Sequence, residues 1–142
     1  MKPKVLIVDD EDSFRKTIVL AFEREGFSVF QADNGEDAVS IAKKELPDLI
    51  LLDLIMPKMA GTDVLQHLKS DDRTRDIPVV VLSSLSERNR VKLMEAGAEE
   101  YLEKGILMPK PGVNLLPQKL EGVVRLINRR RGTQPANPPT SR

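Results

Sequence analysis

The chain has 142 residues, enough for one compact domain and too few for two ordinary ones, with 40% hydrophobic and 31% charged residues. Lys+Arg and Asp+Glu both number 22, so no overall field draws the chain toward nucleic acid or an anionic membrane. The absence of cysteine excludes disulfide staples, thiolate metal sites and cysteine nucleophiles, and no apolar run approaches the ~20 residues of a membrane span. Met1-Lys2-Pro3-Lys4 leads into too short an apolar run for a signal peptide, so a cytoplasmic protein is expected.

Short apolar runs alternate with segments of helical period. Val5-Leu6-Ile7-Val8 is mostly β-branched and stops at Asp9-Asp10-Glu11-Asp12, which predicts a strand buried on both faces. Phe14, Ile18, Ala21 and Phe22 form one stripe of a helix that Gly26 ends. A second strand is predicted over Phe27 to Ala32. Asn34 is placed to cap a second helix, with Ala38, Ile41 and Ala42 on its apolar stripe before Pro47. Leu49-Ile50-Leu51-Leu52 is a third buried strand ending at Asp53, and a loop with Pro57 and Gly61 leads to a short helix around Val64, Leu65 and Leu68. Val79-Val80-Val81-Leu82 is the fourth strand, ending at Ser83. A helix near Glu87–Ala96 stops at Gly97, Glu99–Leu102 is a short fifth strand, and Leu120, Val123, Val124 and Ile127 mark a last helix.

Five β-α units predict an α/β domain over residues 1–131, three layers deep, with a parallel sheet between two sets of helices. Residues 132–142 carry Pro135, Pro138 and Pro139 and no large apolar side chain, the composition of a disordered tail or linker. In such a sheet the functional site lies outside the carboxyl ends of the strands. Asp9, Asp10, Asp53 and Ser83 all stand where an apolar run ends, and Lys104 closely follows the fifth run. Taken singly, each has an ordinary reading: acids of a helix's first turn, a loop start, a turn serine, a solvated lysine. Their coincidence at four strand ends needs a common cause. Three crowded carboxylates resist ionising unless a cation shares the site, and Mg²⁺ prefers such oxygen donors. A carboxylate can also accept a phosphoryl group as nucleophile, with a lysine and a hydroxyl to neutralise and orient the oxygens.

The segments Val5 to Asp10, Leu49 to Pro57 with Gly61, Val79 to Ser84, and Gly97 to Lys104 resemble, in order and spacing, the signature blocks of bacterial response-regulator receiver domains. The resemblance spans roughly residues 4–130. It implies a flavodoxin-like, doubly wound sheet of five parallel strands in the order 2-1-3-4-5 with five helices. It implies that Asp53 accepts a phosphoryl group from a histidine kinase or a phosphotransfer protein. Asp10, Asp53 and the backbone carbonyl of Ile55 would ligate Mg²⁺, with Asp9 acting mainly through a bound water. Ser83 and Tyr101 would be the switch residues, Tyr101 turning inward, and Lys104 would pair with the phosphoryl charge. A downstream protein would dock on the face of the fourth helix, fifth strand and fifth helix. The function implied is a two-component signalling switch that promotes only its own phosphorylation and dephosphorylation. With no effector domain in the chain, its output is protein–protein binding, without direct contact to nucleic acid or membrane.

Some positions depart from the family pattern. Its lysine is usually followed by proline in a cis peptide; here Gly105 follows Lys104, and a cis bond before glycine costs about 2.5–4 kcal/mol, so a trans bond is expected. A Lys110-Pro111 pair stands six residues on, but the Gly97-Ala98 and Tyr101 register selects Lys104. The stretch Ile106–Pro117 is longer than the family norm. Ile55 and Leu85 put apolar groups where some members orient an attacking water, so slow self-dephosphorylation is expected. His67 reads as a surface or half-buried helix residue, Arg129-Arg130-Arg131 as a solvated helix end, and Met56 and Met59 as loop packing. Two rival functions remain open: a receiver-like scaffold that binds partners without phosphorylation, supported by Gly105, and an Mg²⁺-dependent phosphohydrolase. The second needs an acid two residues after the nucleophile, where Ile55 stands.

Overall fold

The computed structural model describes residues 2–56, 59–83, 90–107 and 116–132. Pro57, Ser84, Leu85, the expected helix start at Glu87, the Lys110-Pro111 pair and the tail from 133 onward lie outside these residues.

Five parallel strands form one sheet in the order β2-β1-β3-β4-β5. They are β1 Lys4–Val8, β2 Ser28–Ala32, β3 Leu49–Asp53, β4 Val79–Ser83 and β5 Glu100–Glu103. The helices are α1 Asp12–Arg24, α2 Gly35–Glu45, α3 Gly61–Lys69, α4 Arg90–Glu95 and α6 Leu116–Gly132, with α5 a single turn at Lys104–Leu107. The five β-α units are therefore those expected, and α6 occupies the place of the expected fifth helix. The added turn α5 starts at Lys104 itself.

The sheet divides the apolar side chains in two. Alternate residues of a strand face opposite sides. Leu6, Val8, Ile50, Leu52, Val79 and Val81 pack with Ala38, Leu65, Leu68 and Leu93 of α2, α3 and α4. Val5, Ile7, Leu49, Leu51, Val80 and Leu82 pack with Phe14, Ile18, Phe22, Val123 and Ile127 of α1 and α6. Each central strand thus reads as an unbroken apolar run because both of its faces are covered. Met56 is buried in the first of these cores and Met59 packs against it, while His67 is exposed on α3. Among the described residues no helix is long and apolar enough to cross a membrane.

Local chemistry sets the helix ends. Asn34 is extended at φ −154°, and its side-chain oxygen accepts from the Asp37 amide at 2.9 Å. Asn34→Ala removes that cap and is expected to lower the unfolding free energy by about 1 kcal/mol in urea denaturation.

Candidate functional site

Parallel register brings the ends of β1, β3 and β4 to one edge, since Val8 pairs with Leu52 and Asp53 with Leu82. The residues that follow these runs are the polar ones. Asp9, Asp53 and Ser83 are buried, with Asp9 0% and Asp53 4% exposed, whereas Asp10 is exposed. Carboxylate oxygens of Asp9, Asp10 and Asp53 lie within 4.8 Å of one another. Backbone bonds hold the acids there: the Asp9 amide donates to Ala32 O at 3.0 Å, and the Glu11 amide to Asp9 Oδ1 at 2.8 Å. The Ile55 amide lies 3.4 Å from Asp53 Oδ1, and the Ile55 side chain is 57% exposed at the mouth. Gly61 brings the start of α3 back onto this loop, its amide donating to Leu54 O at 2.8 Å.

Lys104 reaches across from the end of β5. Its Nζ lies 2.8 Å from Asp9 Oδ2, 3.1 Å from Glu11 Oε1 and 3.6 Å from Asp53 Oδ2. It also sits 4.7 Å from the centroid of the Phe14 ring, within cation–π range. The Lys104–Gly105 peptide is trans, as expected. Tyr101 is buried on β5, opposite Val81 of β4.

The electrostatics follow from this crowding. Burial, then the negative charges of Asp9 and Asp10, raise the Asp53 carboxyl from 3.8 to about 7, against the opposing pull of Lys104 and the Ile55 amide. Burial alone would lower the Lys104 ammonium. The contacts with Asp9 and Glu11 and the charge of Asp53 outweigh it and hold the group above its ordinary range. Asp9 Oδ2 is ionically close to Lys104, but the pair lacks hydrogen-bond geometry. That buried oxygen has no hydrogen-bond partner among the described residues. Hard oxygen donors, two of them on buried carboxylates, and a carboxyl that resists ionising are the properties a hard divalent cation such as Mg²⁺ relieves.

The structure brings together every acid singled out in the sequence and adds Lys104 to them. Glu11 and Phe14, which also hold Lys104, were not singled out, although both stand in the acidic run or just after it. Nothing local in the sequence pairs Glu11 with a lysine 93 residues away.

Residues 5–110 match the family model described as the response regulator receiver domain. The chain is 38% identical over 129 residues to the phosphate regulon transcriptional regulatory protein PhoB of Escherichia coli K12, covering 90% of this chain and 54% of PhoB. It is 38% identical over 103 residues to the DNA-binding dual master transcriptional regulator RpaA of a Synechocystis strain, covering 72% of this chain and 43% of RpaA. The chain spans about half the length of the curated relatives it matches. Among solved structures, the receiver domain of the Francisella response regulator 1452 superposes with a TM-score of 0.75 at 27% identity, covering 92% of this chain and 99% of that one. A CheY-like receiver domain of Methanospirillum hungatei superposes at 0.79 and 23% identity, covering 94% and 100%, which speaks for the fold. Sequence blocks, strand order and these likenesses agree: the chain belongs to the response regulator receiver domain family.

Proposed function

We propose that this receiver domain is a phosphorylation-dependent switch of a two-component phosphorelay, with Asp53 as the acceptor. One observation carries the reading: a buried carboxylate at the end of β3 has Asp9 and Asp10 oxygens within 4.8 Å and an ammonium at 3.6 Å. In the transfer, an Asp53 oxygen attacks phosphorus. The P–N bond to the donor's imidazole breaks, and the donor nitrogen keeps the electron pair. The donor is a histidine kinase or a phosphotransfer protein, with the domain in the cytoplasm. Asp10, Asp53 and the Ile55 carbonyl would hold Mg²⁺, with Asp9 acting through a water, and the ion would offset the negative charge of the phosphoryl oxygens. Lys104 neutralises the transferred group from the other side.

The bound group adds about −1.5 to −2 charge at the sheet edge. Ser83, at the end of β4 beside β3, donates to it, and Tyr101 packs behind Ser83 on the neighbouring strand. These two residues pass the change to the face formed by α4, β5 and α6. There Val91 and Met94 expose apolar surface, suited to a protein partner. The domain promotes its own phosphorylation and dephosphorylation and no further reaction. It takes in the elements from β1 to the end of α6 at Gly132. PhoB and RpaA are regulators of transcription by name; for this chain the proposed output is the docking of a partner protein on that face.

Intact mass after incubation with acetyl phosphate and Mg²⁺ tests the reading. A gain of one phosphoryl group is expected, abolished by Asp53→Asn and by a chelator. No gain in folded wild-type protein refutes the switch and favours a phosphorylation-independent scaffold, with Lys104 retained by Asp9 and Glu11.

A further inference from the structure

Arg15 stands in the first turn of α1, where its amide donates to Glu11 O at 2.9 Å. Its side chain is 12% exposed, unusually enclosed for an arginine beside an open site. The guanidinium bonds three elements at once. Nη1 donates to the backbone oxygen of Asp9 at 2.8 Å, Nε to Gln31 Oε1 on β2 at 3.0 Å, and Nη2 to Asp12 Oδ1 at 2.6 Å. It reaches neither Lys104 nor Asp53 in any of these contacts.

The Asp9 oxygen belongs to the peptide that joins Asp9 to Asp10. That unit is planar, so fixing its oxygen fixes the direction in which the Asp10 backbone leaves. The Asp9 amide is already tied to Ala32 O and its Oδ1 to the Glu11 amide. Arg15 supplies the remaining restraint. The restraint matters because Asp10 is exposed, on a loop, and repelled by two buried acids whose oxygens lie within 4.8 Å of its own. A rigid planar fork with three acceptors holds such a loop better than a single flexible ammonium.

From this geometry, and resting on the reading of the acidic edge as a Mg²⁺ site, we infer that Arg15 is a positioning residue that sets the cation affinity of Asp9, Asp10 and Asp53 without touching the cation. Partners that orient metal ligands from outside typically govern affinity about 10–100-fold.

The test is calorimetric titration of the full chain with Mg²⁺, beside the melting temperature of each protein in chelator. Arg15→Met is expected to bind Mg²⁺ at least about tenfold more weakly, and Arg15→Lys, which keeps the charge but not the fork, to recover less than half of that loss on a logarithmic scale. An Arg15→Met protein that melts lower in chelator yet binds Mg²⁺ within twofold of wild type overturns the inference, because its role is then structural alone. Should Arg15→Met not fold, Arg15→Lys decides: a loss of threefold or more supports positioning, and a smaller one refutes it. Wild-type protein with no heat of Mg²⁺ binding refutes the metal site itself, and with it the role of Arg15.

Discussion

Gly61→Ala is expected to lower the unfolding free energy by about 3 kcal/mol or more, a large share of the ~5–15 kcal/mol that holds a typical domain. An added Cβ would overlap the backbone oxygen of Asp53 and lie 2.6 Å from Leu54 Cα and 3.0 Å from Leu54 O. All three are backbone atoms, so no side chain can rotate out of the way. The overlap can be relieved only by moving α3 outward, which breaks the Gly61–Leu54 bond, or by displacing the peptide that carries Asp53. Gly105→Ala is the matched control, since among the described residues nothing lies within 4 Å of an added Cβ there. Urea denaturation of both variants checks the contrast. A Gly61→Ala protein within 1 kcal/mol of wild type would mean that the β3–α3 loop yields freely and that the close approach has no energetic consequence.

Asp53→Asn is expected to stabilise the metal-free protein, increasingly so as pH rises. The Asp53 carboxyl is raised from 3.8 to about 7 in the folded chain. Between those values the folded state keeps a proton that the unfolded state has lost. Stability therefore falls as pH rises from about 4 and levels off above about 7. Asparagine carries no such dependence. Each tenfold change in proton affinity is worth about 1.4 kcal/mol, and half of the separation between the two states amounts to roughly 2 kcal/mol at pH 8, or about 5–8 °C in melting temperature. Near pH 4 the two proteins should melt alike. Thermal unfolding in chelator at both pH values measures the difference. A gap that is constant across pH, or that widens toward acid, contradicts the assignment of Asp53 as the strained carboxyl.

Much of the site was readable because both faces of β1, β3 and β4 are covered. The apolar runs then have no gaps, and the first polar residues after them, Asp9, Asp53 and Ser83, mark the strand ends directly. Strand bounds shifted by a residue where the pattern fades. β1 begins at Lys4, and β5 runs Glu100–Glu103 rather than from Glu99, whose amide still bonds Val79 O at 2.8 Å. The turn α5 escaped because four residues are too few to show a helical period. Arg15 escaped for a different reason: its partners are a backbone oxygen and the side chains of Gln31 and Asp12, and no motif records a bond to a main-chain atom. Thr74 likewise reads as an ordinary loop residue. It is fully buried, its hydroxyl donating to Leu68 O at 2.7 Å.

The division of the apolar side chains into two sets also bears on how this protein tolerates change. Phe14, Ile18, Phe22, Val123 and Ile127 meet one side of the strands, and Ala38, Leu65, Leu68 and Leu93 the other, so a substitution in one set changes the packing of its own set alone. Energies of paired substitutions drawn from opposite sets should therefore add, as they do for residues without shared neighbours. The chemistry at the strand ends depends on both sets, since Asp9, Asp53 and Ser83 stand at the ends of strands whose two faces pack against one set each.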